Sequence, residues 1–340
     1  MEFRQSRVRA WLVLVVGIAG AASAAEVTSP AEGAAWLKKM AGASRQLNYE
    51  GIIVYQHRNH IETSRVVHYV NSAGGEFEKL ETMDGPPREV IRSNDQVICY
   101  LPKAKTVLIQ ERNRTTRNFP ALLPESLAGI PDSYTIRKGE VDRIAGYDCQ
   151  WISLEPRDQY RYGRRFCAEI ASGLPLRAHT LDEKNEPVES FAFSQLSIGG
   201  SFKGDRVKSR YADKSKTQNW RVERSGFSAA PTATPADTGW AVAANLPGFR
   251  KVMEAQRWTG GRTGFISQIV LSDGLTAVSV FIEPGVHEPK TGALSSQGAV
   301  NIYTRAQGNH TVTVLGEAPK ATVMHIANSI EAKPTTAGLQ

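Results

Sequence analysis

A chain of 340 residues, 41% hydrophobic and 22% charged, is long enough for two domains with cores of their own. Its net charge of +7 would suit a nucleic-acid partner in a cytosolic protein, but the N-terminus directs the chain elsewhere. Three cysteines occur and none belongs to a Cys-x-x-Cys pair, which excludes a dithiol oxidoreductase.

Arg4, Arg7 and Arg9 form a basic start, and Ala10 to Ala19 is an apolar core. Ala22-Ser23-Ala24-Ala25 then places small residues where a signal peptidase cuts. Residues 1–25 therefore read as a secretory signal peptide whose apolar core is too short to span a bilayer. No cysteine stands at the cleavage point, so no lipid anchor is expected. The mature chain is expected to start near Ala25 or Glu26 as a soluble exported protein with a net charge of about +5. Export away from ATP argues against kinases, nucleotide-driven enzymes and nucleic-acid binders. The polyanions at hand are lipopolysaccharide, phospholipid head groups or an acidic protein; a basic surface without a specific partner is the plain alternative.

Ser29-Pro30-Ala31-Glu32 opens a helix with a cap, a first-turn proline and a capping-box glutamate, and Trp36, Leu37, Met40 and Ala41 share one face. The period then falls to two. Residues 51–57, 63–70, 76–83, 89–92, 96–101 and 106–110 read as strands, separated by turns such as Asp84-Gly85-Pro86-Pro87. Phe119 to Ile130 returns to helical spacing through Phe119, Leu122, Leu123, Leu127 and Ile130, and is expected to be a short helical flap. Strands resume at 134–138, 149–155, 161–169, 174–181 and 188–196. Cys149 and Cys167 lie nine residues either side of Asp158, opposite positions in a regular hairpin, and are expected to form a disulfide. Cys99 reads as a buried strand thiol. Residues 225–239, rich in Ala, Thr and Pro, read as a linker. Beyond it, residues 265–271, 276–283, 300–305 and 311–315 read as strands, Pro284 to Gln297 as a polar loop, Pro319 to Glu331 as a helix, and 333–340 as a tail. The expected architecture is α+β and mainly β. A long curved antiparallel sheet wraps around helices in residues 26–224, and a smaller sheet domain with a packed helix fills 240–332.

Catalytic patterns are missing: no Gly-x-Ser-x-Gly, no Walker loop and no His-Glu-x-x-His. His57, His60 and His68 sit around one hairpin and read as surface residues rather than metal ligands, and no cofactor is expected. A curled sheet can instead leave an apolar concavity for an acyl chain. Its candidate lining is Ile53, Val67, Tyr69, Val97, Leu108, Trp151 and Phe166, with Phe119, Leu122 and Leu123 from the flap; the alternative is that each is ordinary core.

The blocks Tyr49-Glu50-Gly51-Ile52-Ile53-Val54-Tyr55, Arg65-Val66-Val67-His68, Gly85-Pro86-Pro87-Arg88-Glu89-Val90 and Ser172-Gly173-Leu174-Pro175-Leu176-Arg177 resemble the MucB/RseB family. So do Leu246-Pro247-Gly248-Phe249 and Val270-Leu271-Ser272-Asp273-Gly274-Leu275 in the second domain. That resemblance implies an unclosed β-barrel of the LolA/LolB kind and a periplasmic location. It also implies negative regulation of an envelope-stress sigma factor, alginate-type by the basic tone and the Cys pair. The implied partner is the periplasmic domain of a MucA/RseA-type anti-sigma factor, shielded from proteolysis until a lipid or lipopolysaccharide signal releases it. A lipid or lipoprotein carrier is the competing reading, and the small domain argues against it. Arg221, Arg224, Arg250, Lys251 and Arg257, on both sides of the linker, are expected to line an interdomain groove for the partner. The number of copies in solution stays open, a homo-oligomer included.

Overall fold

The computed structural model describes residues 26–111, 119–124, 126–200, 204–225, 237–258, 265–285 and 292–334. The signal peptide, most of the 225–239 linker and most of the 333–340 tail lie outside the described residues.

The N-terminal part begins with β1 (Glu26–Val27) and helix α1 (Pro30–Gln46). Then come β2 (Tyr49–His57), β3 (His60–Val70), β4 (Glu76–Thr82), β5 (Glu89–Arg92), β6 (Gln96–Leu101) and β7 (Thr106–Glu111). After the short α2 (Ile130–Ser133) follow β8 (Tyr134–Ile144), β9 (Tyr147–Pro156), β10 (Gly163–Glu169), β11 (Pro175–Leu181) and β12 (Pro187–Ile198). A turn of helix, α3 (Lys214–Thr217), precedes β13 (Arg221–Ser225). All thirteen strands make one sheet, in the order β1-β8-β9-β10-β11-β12-β2-β3-β4-β5-β6-β7-β13. Only β7 and β13 run parallel, and β1 and β13 are the unjoined edges of an open barrel. The strands expected from period-two patterning are all here; β1 and β13 are additional. A two-residue strand and the polar run Arg-Val-Glu-Arg-Ser carry too little apolar alternation to be read in advance.

Helix α1 forms as its cap predicts: the Ser29 side chain accepts from the Glu32 amide at 3.2 Å and Pro30 occupies the first turn. Its buried stripe of Leu37, Met40 and Ala43 packs with Tyr49, Ile53, Ile152, Phe166, Leu176 and Phe193 on one face of the sheet. The expected flap helix is corrected. Residues 119–124 and 126–129 are turns and irregular chain, and helix begins only at Ile130. Pro120 and Pro124 bring no N–H, and each pushes the residue before it out of the helical region. The segment is still pinned over the core. Ser44 Oγ donates to the Pro120 carbonyl at 3.2 Å, Arg45 donates to the Leu123 carbonyl at 3.0 Å, and Phe119 and Leu123 are buried.

The C-terminal part carries β14 (Trp240–Val242), β15 (Arg250–Trp258), β16 (Phe265–Ser272), β17 (Ala277–Pro284), β18 (Ala293–Gln297), β19 (Val300–Gln307) and β20 (His310–Gly316). Helix α4 (Lys320–Asn328) and β21 (Ile330–Ala332) close it. Strands β15 to β20 form a six-stranded sheet, and β14 pairs with β21. Val323, Ile326 and Ala327 of α4 lie on Ile269, Val280, Val312 and Val314. Two expectations change here. The loop expected over 284–297 ends in strand β18, and the closing helix stops at Asn328 so that Ile330 can enter a strand.

Candidate functional site

Strand register sorts the ten candidate lining residues onto two faces, because opposite partners in a ladder share a face and neighbours along a strand do not. The chain Phe193–Ile53 and the chain Leu108–Cys99–Val90–Leu80–Val66–Gly51 lie on the α1 side. Val97, opposite Arg92, and Phe166, opposite Ile152 and Ala178, share it. The Phe119 ring lies over Phe191 and Phe193 at 5.6 and 5.2 Å, and Leu122 and Leu123 join the same core. Val67, Tyr69 and Trp151 are corrected to the opposite face. Val67 stands opposite Glu50 and Lys79, and Tyr69 opposite Phe77. Trp151 stands opposite Cys167. The reason is one of parity: a residue assigned one position off along a strand lands on the other side of the sheet.

The α1 face itself has two zones. Under α1 it is sealed, with Tyr49, Ile152, Phe166, Leu176 and Phe193 all buried. Over β4–β7 the apolar floor of Leu80, Val90, Cys99 and Leu108 is only half-buried. The three histidines do not converge. His57 and His60 are register partners at one end of the β2–β3 hairpin, whereas His68 is stacked on Tyr49 at the other, 4.7 Å away.

Cys149 and Cys167 are bonded, with Cα atoms 5.3 Å apart. They sit diagonally, because Cys149 opposes Glu169 and Cys167 opposes Trp151, which centres the β9–β10 turn one residue beyond Asp158. Beside the bridge, Arg165 lies 4.3 Å from the Trp151 ring, and His179 stacks on that ring at 5.6 Å. The buried His179 Nδ1 has no hydrogen-bond partner among the described residues. Burial, then Arg177 and Arg165, lower the His179 pKa from 6.5 to about 4. Between pH 6.5 and 4 the unfolded chain takes up a proton that the folded imidazole refuses, so stability falls as pH drops through that window and levels off below it. Denaturant midpoints measured from pH 7 to 4 should show a shallower decline for His179→Phe; parallel curves would reject this assignment.

The tip of that disulfide-braced hairpin meets the second sheet. Arg161 and Asp273 are fully buried, with Arg161 Nη1 2.6 Å from Asp273 Oδ2. Arg161 also grips both oxygens of Asp158, at 3.1 and 3.0 Å, and donates to the Pro247 carbonyl. Its guanidinium lies 4.8 Å from the Phe249 ring. Asp273 Oδ1 accepts from the Leu275 and Thr276 amides at 2.9 and 2.6 Å, and the turn so formed delivers Leu275 into the core of the large sheet. Gly248, at φ +78°, completes the fit: a Cβ there would stand 2.7 Å from Ser133 Oγ. Around this centre Arg164 pairs with Glu317 at 2.8 Å, Asn301 donates to Tyr162 Oη at 2.8 Å, and the Ala299 amide donates to Glu189. Burial works against the Arg164 charge, but Glu317 beside it raises its pKa. Burial and then Asp273 push Tyr134, which meets Thr276 at the same seam, up to about 12.

The five basic residues expected at an interdomain groove lie on two edge strands. Arg221 and Arg224 lie on β13 at the edge of the large sheet, and Arg250, Lys251 and Arg257 on β15 at the edge of the small one. Arg221 pairs with Glu223 and Lys251 with Glu254. The seam is built instead by Asp158, Arg161, Tyr162, Arg164, Asp273 and Asn301. In the sequence these carry only turn and strand signals, and nothing local links Arg161 to a partner 112 residues away.

Two family models cover the chain: the MucB/RseB N-terminal domain over residues 32–211 and the MucB/RseB C-terminal domain over residues 234–331. The chain is 30% identical over 325 residues to the sigma factor AlgU regulatory protein MucB of Pseudomonas aeruginosa, covering 92% of this chain and 94% of that protein. To the sigma-E factor regulatory protein RseB of Escherichia coli it is 25% identical over 311 residues, 91% and 93% of the two chains. Among solved structures, the Pseudomonas aeruginosa MucA/MucB complex contains a chain that matches with a TM-score of 0.69 at 25% identity, over 89% of this chain and 99% of that one.

Proposed function

This chain belongs to the MucB/RseB family, and on that premise we propose that it regulates an envelope-stress sigma factor by binding the periplasmic domain of a MucA/RseA-type membrane anti-sigma factor. The observation that carries the reading is the match, across nearly the whole of both chains, to a MucB solved together with MucA. The regulator works by binding alone: it shields the anti-sigma factor from proteolysis and lets go when a lipid or lipopolysaccharide signal arrives. It acts in the periplasm after signal-peptide cleavage. The secretory pattern of residues 1–25 supports that address, and among the described residues no helix is long and apolar enough to cross a membrane. Its units are residues 26–224, a linker over 225–239, and 240–332.

Lipid can release the partner only if it favours an arrangement that the partner does not. The half-buried floor of Leu80, Val90, Cys99 and Leu108 is the surface with which an acyl chain would make that choice. The same floor supports a second reading, a lipid or lipoprotein carrier. Cys99 is the cysteine outside the Cys149–Cys167 bridge and serves as a reporter on that floor. The test mixes the mature protein with a purified anti-sigma periplasmic domain and titrates lipopolysaccharide while following complex formation and Cys99 alkylation. The expected result is a complex without lipid, its dissolution by lipid, and slower alkylation of Cys99 in lipid. No complex in the absence of lipid would remove the regulator reading, and Cys99 protection alone would leave the carrier.

A further inference from the structure

We propose that residues 204–225 form a latch that sets the length of the covalent path between the two domains and thereby strengthens their docking. The large sheet finds its last antiparallel strand in β12, which ends at Ile198, and the chain does not then run straight to the second domain. Residues 204–211 return across the sheet face opposite α1. There Gly204 lies against Tyr69, Val207 is buried, and Tyr211 stands between Tyr100 and Trp220 at ring distances of 6.2 and 5.5 Å.

Several contacts of this strap with the sheet are ionic. Arg206 pairs with Glu50 and Arg210 with Glu81. Arg210 Nε lies 2.5 Å from Glu89 Oε1, and its amide donates to Glu89 Oε2 at 3.1 Å. Glu89, 1% exposed, also receives Lys79 at 3.5 Å, and Lys79 donates to the Lys208 carbonyl. The strap ends in β13, held to β7 by a five-residue parallel ladder, with Val222 left 48% exposed. A short edge strand and a row of partly exposed ion pairs belong to the least costly parts of a fold to open. The seam at Arg161 is the opposite case, with both side chains of the Arg161–Asp273 pair buried.

With the strap attached, the path from Ser225 to Asp237, where the described chain resumes, is twelve residues. With the strap free it runs from Ile198, thirty-nine residues. The local concentration of one domain at the other falls with about the 3/2 power of the length of chain that joins them, so release lowers it roughly sixfold. The latch thus couples an ionic face of the large domain to the stability of the seam without touching the seam.

Hydrogen exchange on the full mature chain tests this, with the amides of Lys208, Arg210 and Tyr211 reporting the strap and those of Leu275 and Ala299 the seam. Arg210→Ala should speed exchange in the strap and, through it, speed the seam amides, by up to the roughly sixfold of full release. Raising salt should act in the same direction, because partly exposed ion pairs are screened. Inserting 27 Gly/Ser residues between Ala229 and Ala230 should speed the seam amides to the same degree while leaving the strap protected. Seam exchange unchanged in both variants overturns the proposal, as does a strap that Arg210→Ala and salt leave fully protected.

Discussion

Asp273→Ala is expected to remove about 3–5 kcal/mol of stability, the usual consequence of stripping one partner from a buried ion pair. Both side chains of the Arg161–Asp273 pair are inaccessible to solvent, so no water replaces the lost carboxylate. Arg161 would keep Asp158, whose side chain is partly exposed, and the Pro247 carbonyl. The Leu275 and Thr276 amides would lose their acceptor at the same time, which loosens the turn that places Leu275 in the other domain's core. Arg161→Ala should cost less, because Asp273 keeps those two amides. Calorimetry should show one cooperative transition for the parent and two for the variant, as the small domain loses its seat. An Asp273→Ala protein that melts in one step at the parental temperature would show that the seam stands without the pair.

Replacing both Cys149 and Cys167 by alanine should cost about 3 kcal/mol, the loop-closure value for a span of this size. The bridge joins residues 18 apart, and both cysteines are buried. Its position matters as much as its magnitude. The hairpin it braces carries Asp158, Arg161, Tyr162 and Arg164 at and beside its tip, so disorder admitted at the base reaches the residues that grip the second domain. Reduction of the unfolded protein should add the mass of two hydrogens, and the urea midpoint of the double variant should fall to match the reduced parent. An unchanged mass on reduction would remove the bridge, and an unchanged midpoint its stabilising role.

Seen from the sequence, the large sheet was legible because each strand announces itself locally. Alternation along Val97-Ile98-Cys99-Tyr100-Leu101, turn residues at Asp84-Gly85-Pro86-Pro87 and the Ser29 cap act within a few residues of themselves. The face assignments were less secure. From the sequence, Ile53, Phe166, Val67, Tyr69 and Trp151 are expected on one face; the first two do face α1 and the last three do not, since parity depends on where each ladder starts and on bulges such as those at 138–141 and 193–195. The helical spacing of Phe119, Leu122 and Leu123 was real, yet Pro120 and Pro124 turned the same apolar residues into an irregular plug.

What the sequence determined by itself is therefore most of the strands of the large sheet, the two longer helices, the hairpin disulfide and the family, because propensity, pairing of nearby cysteines and ordered motifs are short-range or linear properties. The functional surfaces came only with the tertiary structure. Arg161 meets Asp273 across 112 residues, Arg210 meets Glu89 across 121, and the basic residues flanking the linker are carried to two sheet edges. An arginine reads as a solvated charge until the fold removes the water around it, and only the packing of distant strands decides where that happens.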